Sequence, residues 1–240
     1  MQANDESIAE AKRNLADQAW RLNNLYKIQT KDGRIVPFRM NWAQQDLFDD
    51  LWYRNLILKA RQLGMSTFIG VLQLDTVLFN DNIHCGTIAH DRESVEELFN
   101  RNIKATYDRL PEWLRQARPE ESSTAKKLSF PNGSSIRVAT SLRSGTMQIL
   151  HVSEFGKVCA KYPDKAKEIV TGSFESVSTD GLIFIESTAE GREGYFYEYS
   201  QQAQANQDAG KRLTQLDWRF HFYPWWRHPD YVLPTKGVVI

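Results

Sequence analysis

Residues 59–67 bring together positive charge, a glycine and hydroxyl groups in an order suited to phosphate binding. The common P-loop reads G-x-x-x-x-G-K-[ST], lies between a strand and a helix, and surrounds phosphates with backbone N–H groups. Gly64 and Ser66 match the second glycine and the hydroxyl that binds Mg²⁺ in this pattern. Met65 stands where the lysine is expected, and Lys59 stands where the first glycine is expected. The segment therefore departs from the pattern at two positions.

The displaced lysine can still serve the same chemistry. Lys59 follows an apolar run, and its flexible side chain is expected to reach the β- and γ-phosphates of a nucleotide. Arg61 adds a second cation with a forked set of donors. For this segment taken alone, a basic strand-to-helix turn that binds no ligand is the alternative.

A second apolar run, residues 149–152, ends in Ser153 and Glu154. In P-loop ATPases the corresponding strand ends in Asp-Glu, where Asp orients Mg²⁺ and its waters and Glu polarises the attacking water. Glu154 fits the water-activating base, whereas Ser153 can hydrogen-bond a metal-bound water but supplies no charge. An ordinary carboxylate at a strand end is the alternative for Glu154 alone, and the upstream loop favours the base.

The sequence Lys-Ala-Arg-Gln-Leu-Gly-Met-Ser-Thr resembles the atypical P-loop of the large terminase subunits of tailed bacteriophages. In that family Arg-Gln-x-Gly precedes Ser/Thr, and the lysine can stand at the start of the loop. The resemblance implies that Ser66 and Ser153 lie at Mg²⁺. It implies nucleotide contacts for the loop residues Lys59, Arg61, Gln62, Gly64, Met65, Ser66 and Thr67.

Three further segments resemble parts of the same family. Residues 187–191 resemble its coupling motif, whose hydroxyls sense the γ-phosphate, and Thr188 is the candidate. The resemblance assigns the adenine edge to Gln44, with Gln45 as second choice, because an amide offers both a donor and an acceptor. It makes Arg143 a finger that reaches the nucleotide of a neighbouring subunit. Taken singly, each has an ordinary turn, helix face or surface arginine as its alternative.

The elements that position these residues alternate along the chain. Such alternation predicts an α/β fold with a mainly parallel sheet flanked by helices and ligands at the carboxyl ends of the strands. The resemblance specifies a P-loop NTPase of the additional-strand catalytic-glutamate type, similar to RecA and helicases. The predicted strands are 56–58, 85–89, 135–139, 149–152 and 182–185, and the predicted helices are 5–25, 42–53, 68–79, 92–109, 165–171 and 194–207.

The sequence also predicts three segments along the chain and the state of its charges, cysteines and histidines. A helical segment (1–36) is expected to precede an ATPase core (37–215), and an aromatic, proline-rich segment (216–240) to lead towards a nuclease domain absent from this chain. The 240 residues carry 30 basic and 30 acidic side chains, so global charge gives no sign of nucleic-acid binding. The two cysteines are expected to be buried free thiols. The histidines at 84, 90 and 151 are expected to be structural or superficial.

The resemblance implies an ATP-hydrolysing motor that uses ATP and Mg²⁺ to move double-stranded viral DNA into a procapsid. Expected partners are double-stranded DNA, a portal protein, a small terminase subunit and further copies of the chain in a fivefold ring, with a monomer for an isolated domain. We expect no DNA cleavage by this chain, no membrane association, and a location in the host bacterial cytoplasm. The alternatives are a degenerate P-loop scaffold, which Met65 and Ser153 favour, and a helicase-like cellular ATPase.

Overall fold

A computed structural model describes residues 2–143, 145–228 and 231 of the chain. Within these residues, β1 (Lys27–Gln29) and β2 (Ile35–Pro37) pair as an antiparallel hairpin. The other eight strands form one sheet: β3 (Arg54–Lys59), β4 (His84–Ile88), β5 (Ser122–Ser123), β6 (Lys127–Ser129), β7 (Ser135–Ala139), β8 (Met147–Ser153), β9 (Val177–Ser187) and β10 (Trp218–Tyr223).

The strand order in the main sheet is β10-β3-β9-β8-β4-β7-β6-β5. All pairs from β10 to β7 are parallel, and only β5 and β6 are antiparallel to their neighbours. β9 separates β3 from β8, so one additional strand lies between the strand that precedes the phosphate loop and the strand that ends at Glu154. The predicted fold class is confirmed.

Helices cover both faces of this sheet. They are α1 (Gln2–Ala16), α2 (Gln18–Asn24), α3 (Trp42–Asp49), α4 (Met65–Phe79), α5 (Arg92–Glu97), α6 (Ala105–Asp108), α7 (Glu112–Ala117), α8 (Phe155–Lys161), α9 (Pro163–Glu168) and α10 (Gly194–Asp208). Alternate residues of the central strands point to opposite faces. Ile57 therefore packs in one core with α4, whereas Leu56 packs in a second core with α8 and α10. No helix among the described residues is long and apolar enough to cross a bilayer.

The N-terminal helices are fixed to α4 by a buried ion pair. The Arg21 guanidinium contacts Asp75 through two N–H···O bonds of 2.9 and 2.7 Å. Asp75 also accepts hydrogen bonds from the Tyr26 hydroxyl at 2.7 Å and the Gln18 amide at 3.1 Å. Asp75 is fully buried, so this network encloses both charges and joins the N-terminal segment to the core.

All five predicted strands are present, but several helices differ from their predictions. The helix predicted at 5–25 is interrupted at Asp17, whose side chain caps α2. The helix predicted at 92–109 contains a π-helical segment, Leu98–Lys104. The short strand β5 lies in a stretch for which no strand was predicted. α8 was not predicted, because its seven residues follow β8 without an intervening turn sequence. Both cysteines are buried and unpaired, as predicted.

The C-terminal aromatic segment contributes an edge strand to the main sheet. β10 pairs in parallel with β3 along its whole length, and Tyr223 stands opposite Lys59. The Ala60 N–H donates to the Tyr223 carbonyl at 2.8 Å, and the Tyr231 hydroxyl donates to the Arg61 carbonyl at 3.1 Å. The sheet thus continues beyond residue 215, where the ATPase core was expected to end.

Candidate nucleotide-binding site

The phosphate loop connects the end of β3 to the start of α4. Gln62 and Gly64 both have positive φ angles of 67°, a conformation that glycine adopts at little cost. A Cβ atom at Gly64 would lie 2.8 Å from the Gln44 amide nitrogen, so a side chain would also displace Gln44. No side chain caps α4. The first N–H groups of α4 therefore stay available to an anion, and the helix dipole adds positive potential.

Gln44 supports this loop from behind. Its amide nitrogen donates to the Gly64 carbonyl at 2.9 Å and the Leu63 carbonyl at 3.3 Å. Its oxygen accepts the Asn41 N–H at 3.0 Å, completing a capping box at the start of α3. The side chain is buried and fully engaged by its own chain. This geometry differs from the free amide edge that adenine recognition requires, and Gln45 is bonded to Asp49 instead.

Three charged side chains meet at the carboxyl end of the sheet. The Lys59 ammonium lies 3.1 Å from Glu154 Oε1 and 2.9 Å from Glu186 Oε2. Glu186 Oε1 accepts hydrogen bonds from the Ser66 hydroxyl at 2.6 Å and the Ser153 hydroxyl at 3.0 Å. The loop, β8 and β9 therefore meet at a single carboxylate.

Strand register explains this convergence. Glu186 pairs with Ser153 on one side and Ile57 on the other, and aligned residues of parallel strands share a face. Lys59 and His151 are each two residues from these positions, so they also point to this face, the one that α4 covers. His151 Nε2 lies 3.4 Å from Glu186 Oε1.

The Lys59 ammonium and the Glu186 carboxylate shift each other's pKa. Burial lowers the pKa of Lys59, but Glu186 and Glu154 outweigh it and the pKa is raised. Burial raises the pKa of Glu186, yet Lys59 and His151 outweigh that effect and hold it well below its usual value. Two carboxylates share one ammonium, so the cluster has an excess of negative charge.

Glu154 occupies the junction between β8 and α8. Its backbone is left-handed, with φ 52° and ψ 45°, a region that costs a residue with a Cβ roughly 1 kcal/mol or more. The chain turns sharply at this residue, and the Glu154 side chain remains about one-third exposed. Of the two carboxylates, Glu154 is thus the one that water and substrate can reach.

A pocket of about 550 Å³ opens beside this carboxylate. One wall is the phosphate loop and the end of β8, and the other is formed by the β1–β2 hairpin and the helix after β4. The lining residues include Gln62, Gly64, Ser66, Thr67, Ser153 and Glu154 on the first wall, and Thr30, Lys31, His90, Leu98, Arg101 and Asn102 on the second.

Several predicted site residues lie away from this pocket. Met65 is buried in the core, so only its backbone can meet a nucleotide. The Arg61 side chain is exposed and forms no hydrogen bond or ion pair with another described residue. Thr188 faces Glu190, 3.5 Å away, rather than the loop. Arg143 is exposed and paired with Glu168 of its own chain.

Sequence reasoning missed two side chains of the cluster. Glu186 lay within the segment compared with the coupling motif but received no role, and His151 was expected to be structural or superficial. Glu186 directly follows the apolar run that predicted β9. A carboxylate at the carboxyl end of a buried strand is the signal that could have identified it.

The oxygen donors present fit Mg²⁺ in character. Serine hydroxyls and carboxylates are hard ligands, and Mg²⁺ usually keeps several waters and takes only one or two protein carboxylates beside phosphates. The described residues contain no group of three or more His, Cys, Asp or Glu arranged to hold a metal. Ser66, Ser153 and Glu154, which line the pocket, with Glu186 buried behind the two serines, thus suit a metal that arrives with a nucleotide rather than a resident ion.

Comparisons with known proteins identify the fold. No protein-family model matches the chain, and no match was found among curated proteins. Among solved structures, the large terminase ATPase domain of Thermus phage P74-26 is 15% identical, covering 79% of this chain and 83% of that one, with a TM-score of 0.57. The HK97 bacteriophage large terminase is 17% identical, and the match covers 88% of this chain and 43% of that one, with a TM-score of 0.66.

The large terminase of the thermophilic bacteriophage D6E, solved in complex with ATP-γ-S, is 10% identical. It matches 82% of this chain and 47% of its own, with a TM-score of 0.50. This chain therefore spans less than half of the HK97 and D6E proteins. At these identities the likeness is one of fold, and that fold is the one found in phage large terminase ATPase domains, as the motifs predicted.

Proposed function

We propose that this chain is an ATPase motor domain that drives double-stranded viral DNA into a procapsid. The observation that carries the proposal is one cluster in which Lys59 contacts Glu154 and Glu186 and Ser66 donates to Glu186, beside a pocket that Ser66 and Glu154 line. These residues come from separate parts of the sequence and supply a cation, a metal-binding hydroxyl and a base. The likeness of the fold to phage large terminases supports the use of ATP hydrolysis for DNA packaging.

Each residue has a task that follows from its position. The N–H groups at the start of α4 and the Lys59 ammonium bind the β- and γ-phosphates. The Ser66 hydroxyl is a ligand for Mg²⁺, which neutralises charge on the phosphates when bound. Glu154, exposed at the end of β8, accepts the proton of the attacking water.

Binding of phosphate requires the Lys59 ammonium to change partners. In this structure it lies within 3.1 Å of both carboxylates. Its flexible side chain allows it to move, whereas a guanidinium fork would hold its partners in fixed geometry. Movement of Lys59 towards phosphate releases Glu154, which can then orient and activate water. We propose that this exchange links nucleotide binding to the readiness of the base.

The proposal also covers the assembly. Double-stranded DNA, a portal protein, a small terminase subunit and a fivefold ring are the proposed partners, in the host bacterial cytoplasm. Arg143 acts on a neighbouring copy in this proposal. It must first leave Glu168, with which it is paired on the surface.

The test is ATP turnover by wild type beside two variants. We expect Glu154→Gln to bind ATP but lower kcat by about 10²- to 10⁴-fold, and Lys59→Ala to weaken ATP binding. Lys161→Ala is the matched control, because Lys161 is exposed at the end of α8. Wild type that binds ATP and hydrolyses none, with Mg²⁺ and double-stranded DNA present, would support a scaffold instead.

A further inference from the structure

Glu186 is a fully buried carboxylate at the point where the hydroxyls of the site meet. Burying an ionised carboxylate costs several kcal/mol before its partners offset the loss. We propose that Glu186 provides the metal-orienting carboxylate of the site, in place of the Asp that is missing at Ser153. This inference rests on the proposed function, because the metal in question is the Mg²⁺ that accompanies ATP.

The additional strand makes the substitution geometrically possible. β9 lies between β3 and β8, and Glu186 is aligned with Ser153 on the same face of the sheet. Adjacent strands are about 4.8 Å apart, and Glu is one methylene longer than Asp. A carboxylate one strand away from the usual position therefore reaches Ser153 Oγ at 3.0 Å. The charge absent from β8 is supplied by β9.

The Ser66 hydroxyl is oriented by the same carboxylate. A hydroxyl has one proton and two acceptor lone pairs. Ser66 donates that proton to Glu186 Oε1 over 2.6 Å, a short bond typical of a charged acceptor. Its lone pairs remain available to a cation. Glu186 thus prepares Ser66 as a metal ligand.

The second oxygen of Glu186 has unused capacity. Among the described residues, Oε2 accepts no hydrogen bond of good geometry and has only the Lys59 ammonium, 2.9 Å away. His151 Nε2 is also buried without a hydrogen bond, 3.4 Å from Oε1. When Lys59 moves to phosphate, this carboxylate loses its main positive partner. A divalent cation held at Ser66 would restore the balance of charge.

A purely structural role would make Glu186 only a counter-ion that holds Lys59 in place. The two roles differ in what happens when the carboxylate is moved to the usual position. In the double variant Ser153→Asp/Glu186→Gln, β8 regains the acidic group and β9 keeps a side chain of the same shape. A metal-orienting role is restored by this exchange, because the charge again lies beside Ser66.

The experiment measures metal binding rather than turnover. Mn²⁺ is titrated by electron paramagnetic resonance into the chain with a non-hydrolysable ATP analogue, and analogue binding is measured separately in EDTA. We expect Glu186→Gln to weaken Mn²⁺ binding about 10- to 100-fold while binding in EDTA stays within about twofold of wild type. We expect the double variant to recover most of the loss. Glu193→Gln, an exposed carboxylate before α10, is the control.

The outcomes separate this inference from the function on which it rests. Wild type that binds no analogue, with or without metal, would overturn the proposed function. Wild type that binds analogue and Mn²⁺, beside a Glu186→Gln variant with unchanged Mn²⁺ affinity, would overturn only the inference. If Glu186→Gln does not fold, the double variant decides: wild-type Mn²⁺ affinity supports the inference, and a folded double variant with weak affinity overturns it.

Discussion

Asp75 and Glu186 are both fully buried carboxylates beside a cation, yet their surroundings differ. Asp75 is held by the two-pronged Arg21 guanidinium and by a tyrosine hydroxyl and an amide, and neither of its oxygens lacks a partner. Glu186 meets a single lysine ammonium that it shares with Glu154. One of its oxygens has no hydrogen bond among the described residues.

The difference separates an ion pair that is fixed in place from one that is free to change partners. A guanidinium fork fixes both partners, whereas an ammonium is a point charge on a flexible stem. The Arg21–Asp75 network has no free capacity and can only stabilise the fold. The Lys59 cluster has two carboxylates for one ammonium, Glu186 Oε2 is contacted by that ammonium alone among the described residues, and the cluster borders a pocket. It can therefore exchange partners when a ligand arrives.

The largest expected effect in this comparison is on the stability that the Arg21–Asp75 network provides. Asp75→Asn leaves the Arg21 charge buried and unpaired, so we expect a loss of about 3–5 kcal/mol in the free energy of unfolding. ATP binding by the folded fraction should not change. Urea unfolding and nucleotide titration measure the two quantities, with the exposed Asp81→Asn as control. A matching loss of ATP affinity would show that the network is not separate from the site.

A smaller effect is expected at Gln44, which supports the phosphate loop. Gln44→Ala leaves the Gly64 carbonyl without its donor, which costs about 1–3 kcal/mol. Because Gln44 contacts the loop backbone, affinities for ATP and GTP should fall together. Parallel titrations of both nucleotides measure this, with Gln116→Ala, at an exposed position of α7, as control. Selective loss of ATP affinity would instead support adenine recognition by Gln44.

The smallest effect at neutral pH is expected at a third buried group, His221. Burial lowers the pKa of His221 to about 3, and the charge of Arg219 acts in the same direction. Between about pH 6.5 and 3 the unfolded chain binds a proton that the folded chain does not, so stability falls as pH falls, by up to about 1.4 kcal/mol per unit.

In His221→Gln this contribution to the pH dependence should disappear, which unfolding midpoints at several pH values can measure. His84→Gln, at an exposed position, is the control. An unchanged slope between pH 6.5 and 4 would mean that His221 is not the buried neutral base described above.

Sequence patterns predicted the features that depend on local order. Apolar runs predicted the five strands, and the residues at their ends made Lys59, Ser66 and Glu154 candidates for one site, because a strand, a loop and a helix are contiguous in the chain. The role of Glu186 depends on β9 lying between β3 and β8, and strand order is a property of the whole sheet.

Contacts between residues far apart in the sequence also explain why Arg143, Gln44 and the aromatic segment differ from their predicted arrangement. Arg143 pairs with Glu168, 25 residues later, and Gln44 with carbonyls about 20 residues later. No local pattern distinguishes such partners from a free surface arginine or glutamine. The aromatic segment was expected to lead towards a further domain, and its residues 218–223 form β10, because the edge of β3 accepts a parallel strand.

The pairing of β10 with β3 has a mechanical consequence. Tension on the chain after Tyr223 pulls along both strands, so their hydrogen bonds resist together in shear instead of opening one by one. The last of these contacts joins the Tyr223 carbonyl to Ala60, the residue after Lys59. A displacement of β10 along its axis therefore moves the start of the phosphate loop. Conversely, a change in that loop exerts force on the residues that follow β10.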